Sequence, residues 1–181
     1  GRFGWRGCML RFWLAAVLLW LGSGPHLLAA NRAETQAFNA AAHSFRATIW
    51  DRAEAEFAEF TLKFPESPRV PEAILLEAQA RLQQTNYSGA LELLQENLEK
   101  SENWRDQYLF WLGEAFFRQA DYKSASEYFT RVLREFPASP RRLEAGLGQA
   151  SALAQLKEWE GLIKLLQEPG GWFETASRGN L

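Results

Sequence analysis

Four aromatic residues divide this chain at nearly even intervals, and their spacing constrains the fold more than any other feature. Trp50, Tyr87, Tyr122 and Trp159 are separated by 37, 35 and 37 residues. Self-similarity at this period indicates stacked copies of one supersecondary unit, each of which buries its apolar face against its neighbours. We therefore expect a repeat array rather than a domain built around one central core.

Two apolar positions follow each aromatic residue at fixed distances. Three residues after the aromatics stand Ala53, Ala90, Ala125 and Leu162, and four residues after those stand Phe57, Leu94, Phe129 and Leu166. Residues four apart share one face of an α-helix, so both positions point into the same seam. The small residue lets two helices approach, and the large one fills the layer above. The pattern predicts an all-α fold in which each aromatic residue opens the second helix of a pair.

A six-residue string recurs at twice the repeat length. Phe64-Pro65-Glu66-Ser67-Pro68-Arg69 returns 72 residues later as Phe136-Pro137-Ala138-Ser139-Pro140-Arg141. Proline cannot donate the hydrogen bond that would extend a helix, and it biases the preceding residue away from helical geometry. We interpret both strings as structural linkers that end one helical pair and set its angle to the next. Near the first string, Asp51 is expected to cap the helix after Trp50.

The stretch 106–139 carries the pattern most completely. Its Leu112-Gly113 pair, Phe116, Ala125, Phe129 and Pro137 stand at offsets that resemble the tetratricopeptide repeat, a helix–turn–helix unit of about 34 residues. The resemblance covers roughly residues 34–168. It implies a right-handed superhelix of about four repeats, at approximately 34–67, 71–104, 106–139 and 143–176, within an array over 31–168.

The proline linkers and the spacing look most like the exported bacterial members of this family. Those members include the outer-membrane assembly lipoproteins and the periplasmic coordinator of the Tol–Pal system. Some positions depart from the family pattern: Ala41 and Ala78 replace the usual glycine, and Leu162 replaces the usual alanine in repeat four.

Residues 1–30 have the pattern of an export leader. Three arginines, Arg2, Arg6 and Arg11, precede an apolar run at 12–21, and the helix-breaking string Gly22-Ser23-Gly24-Pro25 follows. This order is typical of a secretory signal peptide, and cleavage after Ala30 is the favoured interpretation. An uncleaved membrane anchor over 12–30 is the alternative, because that length approaches a bilayer span. Either way, the body is expected to be exported and periplasmic or envelope-associated, with inner-membrane attachment in the second case.

The composition of the body argues against several classes of function. Residues 31–181 carry 17 basic and 22 acidic side chains, a net charge of −5, which does not suit nucleic-acid binding. They contain no cysteine and one histidine, His43, so no metal ligand set is evident. Glycine-rich phosphate loops and nucleophile motifs are also missing from the sequence. We therefore expect no enzyme, metal or cofactor.

A hydrophobic groove is the strongest candidate site. The resemblance implies that the first helix of each pair lines a concave groove, at positions occupied by Phe38, Phe45, Leu75, Leu82, Phe110, Trp111, Glu114, Phe117 and Arg118. The segment 108–117 is apolar almost all round, so it must be buried on two sides. One side packs on its own repeat, and the other needs a partner. Aromatic rings beside arginine are typical of interface hot spots. Internal packing of Trp111 and Phe117 in a tight superhelix is the alternative.

The end of the chain is expected to be a loop, at 169–181, or the start of a further truncated repeat. Solenoids need a polar terminal helix, and this segment is too short to supply one. We expect the natural protein to continue, so that part of the apolar surface belongs to missing repeats. The favoured function is a non-enzymatic exported scaffold that binds a protein or peptide in cell-envelope assembly or maintenance. A self-associating structural or spacer module of a longer envelope protein is the alternative.

Overall fold

The computed structural model describes residues 24–167, together with Gly171 and Phe173. The predictions for residues 1–23 and for most of the segment 168–181 lie outside the described residues. In the described part the chain is all-α and contains no strand. Its helices are α1 Gly24–Arg46, α2 Trp50–Lys63, α3 Val70–Gln83, α4 Tyr87–Asn97, α5 Arg105–Arg118, α6 Tyr122–Glu135, α7 Arg142–Leu156 and α8 Trp159–Gln167. Two short 3₁₀ turns, at Leu98–Lys100 and Glu102–Trp104, connect α4 to α5.

The helices form four antiparallel pairs stacked into a superhelix. Each helix packs against the next one along the chain, and the first helices of neighbouring pairs also lie side by side: α1 beside α3, α3 beside α5, and α5 beside α7. This arrangement confirms the all-α repeat fold. Helix α1 begins at Gly24, so it crosses the predicted boundary between the leader and the array. None of the helices within 24–167 is long and apolar enough to cross a membrane.

The aromatic residues open the second helices as predicted. Trp50, Tyr87, Tyr122 and Trp159 are the first residues of α2, α4, α6 and α8. The seam behind them is closed in the first three pairs, where the small and large positions are fully buried. In the fourth pair the same positions are not buried: Leu162 is half-buried and Leu166 is exposed. The seam pattern is therefore filled in three copies and open in the last.

All four turns within the pairs have the same left-handed geometry. Thr48, Thr85, Ala120 and Lys157 have φ angles of 59°, 62°, 64° and 60°. In the first turn, Thr48 N–H donates to Phe45 O at 3.0 Å and Ile49 N–H donates to Ser44 O at 3.0 Å. The other three turns repeat these bonds, which define the Schellman motif that satisfies the last carbonyls of a helix. Glycine is the usual residue at the left-handed position, and none of these turns has it.

The second helices are capped in different ways. The Asn86 side chain accepts from Gly89 N–H and begins α4, and the Asp121 side chain accepts from Ser124 N–H and begins α6. The predicted capping role of Asp51 is wrong, because Ile49 occupies the cap position of α2 and makes no side-chain bond. Asp51 lies instead in the first turn of α2, where a negative charge is favourable beside the positive end of the helix dipole.

The recurring proline linkers make the same contacts at both sites. Ser67 Oγ donates to Glu34 Oε1 at 2.6 Å, across one repeat, and accepts from Arg69 N–H at 3.1 Å. In the second copy, Ser139 Oγ donates to Asp106 Oδ2 and accepts the backbone N–H two residues on, at 3.1 Å. Each linker serine thus ties the end of one pair to that pair's own first helix, at Glu34 within α1 and at Asp106 in the first turn of α5. The structural interpretation of the strings follows directly from these contacts.

The ring of Phe129 is the tightest point of the core. It is fully buried in α6, between Gly113 of α5 and Gly148 of α7. A methyl group added at Gly113 would lie 2.7 Å from the ring, and one added at Gly148 would lie 2.6 Å from it. Glycine is therefore required at both positions for the first helices of the last two pairs to approach α6. Because both glycines let their helices come close to α6, they also determine the distance between α5 and α7.

Candidate functional site

A cavity of about 540 Å³ lies between α5 and α7, on the side of the array where the first helices lie next to each other. It is lined by Phe110, Trp111, Glu114, Phe117, Arg118, Arg141, Glu144, Leu147, Gly148 and Ser151. The first five residues come from α5, Arg141 comes from the linker, and the remainder come from α7. We call this cavity the α5–α7 pocket.

The α5 wall is aromatic. Phe110 is buried, and Trp111 and Phe117 are half-buried. The ring centroids of Phe110 and Trp111 are 5.4 Å apart at an interplanar angle of 80°, an edge-to-face pair. Phe117 makes a similar pair with Tyr122, at 5.2 Å and 65°. The rings are held by these contacts, so the wall is a fixed apolar surface with one face towards the pocket.

Charged side chains form the rest of the wall. The guanidinium of Arg141 lies 5.2 Å from the centroid of Phe110 and 5.8 Å from that of Trp111. Its Nε donates to Gln107 Oε1 at 3.0 Å, and its Nη1 donates to Glu144 Oε2 at 2.9 Å. Arginine on aromatic faces keeps its charge while covering apolar area. Arg141 is thereby fixed across the pocket, between the two helices.

A second acid–base pair lies on α5. Arg118 Nε is 3.9 Å from Glu114 Oε2, at the limit of an ion pair. Burial raises the pKa of the Glu114 carboxyl above its ordinary value, and Arg118 opposes that effect. Glu144 on the opposite helix adds to the rise. The pocket therefore places two carboxylates and two guanidiniums around an aromatic floor.

The indole of Trp111 has an unused hydrogen-bonding group. Its Nε1 atom is buried and has no acceptor among the residues that the structure describes. A buried donor without a partner costs about 1–3 kcal/mol.

Five of the nine predicted groove residues lie together in this pocket: Phe110, Trp111, Glu114, Phe117 and Arg118. The other four lie elsewhere. Phe38, Leu75 and Leu82 are buried in the core, where a partner in the groove would not touch them. Phe45 is half-buried and packs edge-to-face on Trp50 at 5.2 Å.

The opposite wall of the pocket was missed from the sequence. Arg141, Glu144, Leu147 and Ser151 stand across from α5, and nothing in their local pattern marks them as a site. One available indication was the linker string itself. In the first linker, Arg69 lies 3.2 Å from the centroid of Phe38 and pairs with Glu72, as Arg141 does 72 residues later with Phe110 and Glu144. Comparing the two copies would have paired Arg141 with the α5 aromatics.

The chemistry of the pocket suits the binding of a polypeptide segment. Aromatic rings supply large contact area, and the Arg–Glu pairs supply donors and acceptors for a backbone or for charged side chains. No cluster of three His, Cys, Asp or Glu residues that could hold a metal occurs in the described part of the chain. His43 lies exposed on α1, away from these residues.

The family model of the tetratricopeptide repeat matches this chain twice, over residues 75–140 and 112–168. No curated protein matches it. The two matches overlap and together cover more than half of the chain, including both walls of the α5–α7 pocket. The four helical pairs, their Schellman turns and this match lead to one conclusion: the chain belongs to the tetratricopeptide repeat family.

Proposed function

We propose that this protein is a non-enzymatic scaffold that captures a segment of another protein in the α5–α7 pocket. Tetratricopeptide repeats generally mediate protein–protein interaction and scaffolding, and they are typically non-catalytic. The observation that carries the proposal is the composition of the pocket. Half-buried Trp111 and Phe117 face open space beside Arg118 and Arg141, a combination enriched at the energetic centres of interfaces.

The geometry also defines the kind of segment that fits. A large apolar or aromatic side chain would pack on Phe110, Trp111 and Phe117 in the floor. A carboxylate in the segment would meet Arg118 or Arg141. We therefore propose a partner segment that carries an aromatic or large aliphatic anchor next to an acidic residue.

A matched pair of variants tests the pocket. Phe117 and Phe45 are equivalent residues 72 positions apart, each packed edge-to-face at 5.2 Å on the aromatic residue that opens the next helix. Phe117 lines the pocket, and Phe45 is outside it. Both alanine variants remove a similar ring contact, so they are expected to lose similar stability. Only Phe117→Ala should affect binding.

The ligands for this experiment are peptides selected from a displayed random library against the immobilised wild-type chain. Affinities are then measured by fluorescence anisotropy. Phe117→Ala and Trp111→Ala are expected to raise the Kd at least about tenfold, which corresponds to about 1.4 kcal/mol. Phe45→Ala is expected to leave it within about twofold. Selected peptides that bind Phe117→Ala as tightly as wild type would refute the pocket as the binding site.

The cellular part of the proposal rests on the sequence of residues 1–30. We propose that the scaffold is exported and acts in cell-envelope assembly or maintenance, as the exported relatives named from the linker pattern do. The support is the leader pattern and the lack of cysteine beyond Cys8, which lets the body fold without disulfides in an oxidising space. Fusing residues 1–30 to an alkaline phosphatase that is active only outside the cytoplasm tests export. An inactive fusion would sink the cellular assignment and leave the pocket assignment intact.

A further inference from the structure

The α5–α7 pocket contains a carboxylate that the repeat fold does not require. Glu114 of α5 lies in this cavity among aromatic rings, with 28% of its side chain exposed. In the equivalent helix 72 residues earlier the position is occupied by Ala42, although the arginine four residues on is present in both copies, as Arg46 and Arg118. Shielding a carboxylate from water costs free energy, so an acid that packing does not need points to a role at the site.

Arg118 is the arginine of the pocket whose donors are unused. Its Nε atom is 3.9 Å from Glu114 Oε2, too far for a hydrogen bond, and it makes no hydrogen bond within the described part of the chain. Arg141 differs, because its Nε donates to Gln107 at 3.0 Å and its Nη1 donates to Glu144 at 2.9 Å. A carboxylate brought in by a bound segment therefore finds free donors on Arg118, and Glu114 is the carboxylate with which it competes.

The charges around Glu114 determine how the pocket responds to protons. Burial raises the pKa of its carboxyl above 4.5, Arg118 on the same helix opposes that rise, Glu144 on α7 adds to it, and Arg141 on the linker opposes it. When both carboxylates are ionised they balance the two arginines, and when Glu114 is protonated the pocket carries a net positive charge. Charged side chains of the other helices packed against α5 lie outside the pocket, among them the pairs Glu77–Arg81 on α3 and Arg131–Glu135 on α6.

We propose that Glu114 makes the capture of an acidic segment depend on pH, by competing with the carboxylate of the segment for Arg118. Ionised Glu114 opposes a second carboxylate beside it, because like charges at short distance repel. Protonated Glu114 leaves the guanidinium to the segment, so an acidic segment binds more tightly as the pH falls. Segment binding and proton uptake therefore favour each other. This regulation rests on the proposed capture of a segment in the α5–α7 pocket.

The probe is a rhodamine-labelled peptide from a display selection against the wild-type chain at about pH 5, where ordinary side-chain carboxyls are still mostly ionised. It carries one Asp or Glu beside its apolar anchor, contains no histidine and has blocked termini, so that it does not itself titrate at higher pH. Anisotropy is expected to show binding at least about fivefold tighter at about pH 5 than at about pH 8. The same peptide with Asn or Gln in place of its acid is expected to bind equally well throughout this range.

Three variants separate Glu114 from the other acids. Glu114→Gln resembles the protonated form, so it is expected to bind the acidic peptide at high pH as tightly as wild type does at low pH, and to lose the pH dependence. Glu144→Gln removes the other carboxylate of the pocket, and Glu77→Gln removes a buried carboxylate outside it; both are expected to retain the pH dependence. Calorimetry of the wild-type chain in two buffers of different ionisation enthalpy should show proton uptake with the acidic peptide and none with its amide form.

Three results would overturn the role of Glu114: a wild-type affinity for the acidic peptide that does not change with pH, the same pH dependence in Glu114→Gln as in wild type, or a selection that returns no acidic peptide. Phe117→Ala distinguishes this failure from failure of the proposed function. Peptides that lose binding in Phe117→Ala occupy the pocket, so a flat pH profile for them counts against Glu114 alone. Peptides that bind Phe117→Ala as tightly as wild type would refute both proposals.

Discussion

Replacing Gly148 with alanine is expected to destabilise the protein, although the same change in most helices is stabilising. Alanine is favoured over glycine inside a helix by about 1 kcal/mol. Here the new methyl group would lie 2.6 Å from Phe129 Cζ and 2.7 Å from its Cε2. Ordinary contact begins near 3.4 Å, so the ring must move by about 0.8 Å, the difference between 3.4 and 2.6 Å.

The ring has little room for that movement. Gly113 lies against the neighbouring atoms of the ring, where an added methyl group would be 2.7 Å from Cε1, and the Phe110 ring is 5.9 Å away between centroids. Overpacking a filled core costs about 1–3 kcal/mol, and a ring already in close contact with a second helix belongs near the upper limit. After the gain in helix propensity, we expect Gly148→Ala to lose about 2 kcal/mol. For a chain of this size, that loss lowers the Tm by about 4–8 °C.

The assay is urea unfolding followed by circular dichroism, with Gly161→Ala as the control. A methyl group at Gly161 would lie 3.7 Å from Leu153 Cδ2, an ordinary contact, so that variant is expected to keep or increase stability. In a Phe129→Leu background the smaller side chain frees space, and Gly148→Ala should cost at least about 1 kcal/mol less than in wild type. A stabilising Gly148→Ala, or the same cost in both backgrounds, would show that contact with Phe129 does not decide the effect.

Three further predictions concern stability. Burial raises the pKa of Glu77 from 4.5 to about 7 despite Arg81 at 2.6 Å, so the folded state binds more protons than the unfolded state between these values. The unfolding free energy should therefore fall as the pH rises from 4.5 to 7, and Glu77→Gln should flatten that fall in urea titrations at a series of pH values. Ala120→Gly is expected to raise the unfolding free energy by about 1 kcal/mol, because φ is 64° at this position and glycine adopts this angle without strain. Unchanged or lower stability in denaturant titrations would contradict this expectation. Ser139→Ala removes the hydroxyl that donates to the Asp106 carboxylate, so the unfolding free energy should fall by about 1–2 kcal/mol in the same assay. An effect near zero would mean that this linker contact does not stabilise the helical pair.

The repeat register was accessible from the sequence because it depends on local chemistry. The predicted helix starts are confirmed at Trp50, Tyr87, Tyr122 and Trp159. Two signals predicted them, the period of the apolar seam and the proline that ends a helix, and each depends on residues within one or two helical turns. The left-handed geometry of the turns was not accessible in this way. Ala120 and Lys157 do not favour positive φ, and the Schellman bonds of the flanking helix ends impose it. Asp51 was misplaced for a related reason, since several residues near a helix start can cap and only the backbone path selects one.

The sequence by itself determined the α-helical pairs, their period and the aromatic character of α5, because each follows from the spacing of apolar residues along one helix. Tertiary structure decided which of those apolar residues are accessible. Phe38 and Phe110 are equivalent by sequence, and each has a linker arginine near its ring. Phe110 lines the α5–α7 pocket with Arg141 at 5.2 Å, whereas Phe38 is buried beneath Arg69 at 3.2 Å. Leu75 and Leu147 are also equivalent. Leu75 is buried in the core that α5 completes, whereas no helix within 24–167 covers α7 and α8 in the same way and Leu147 is exposed. Exposure depends on what packs against a residue from a distant part of the chain, and no local pattern encodes that.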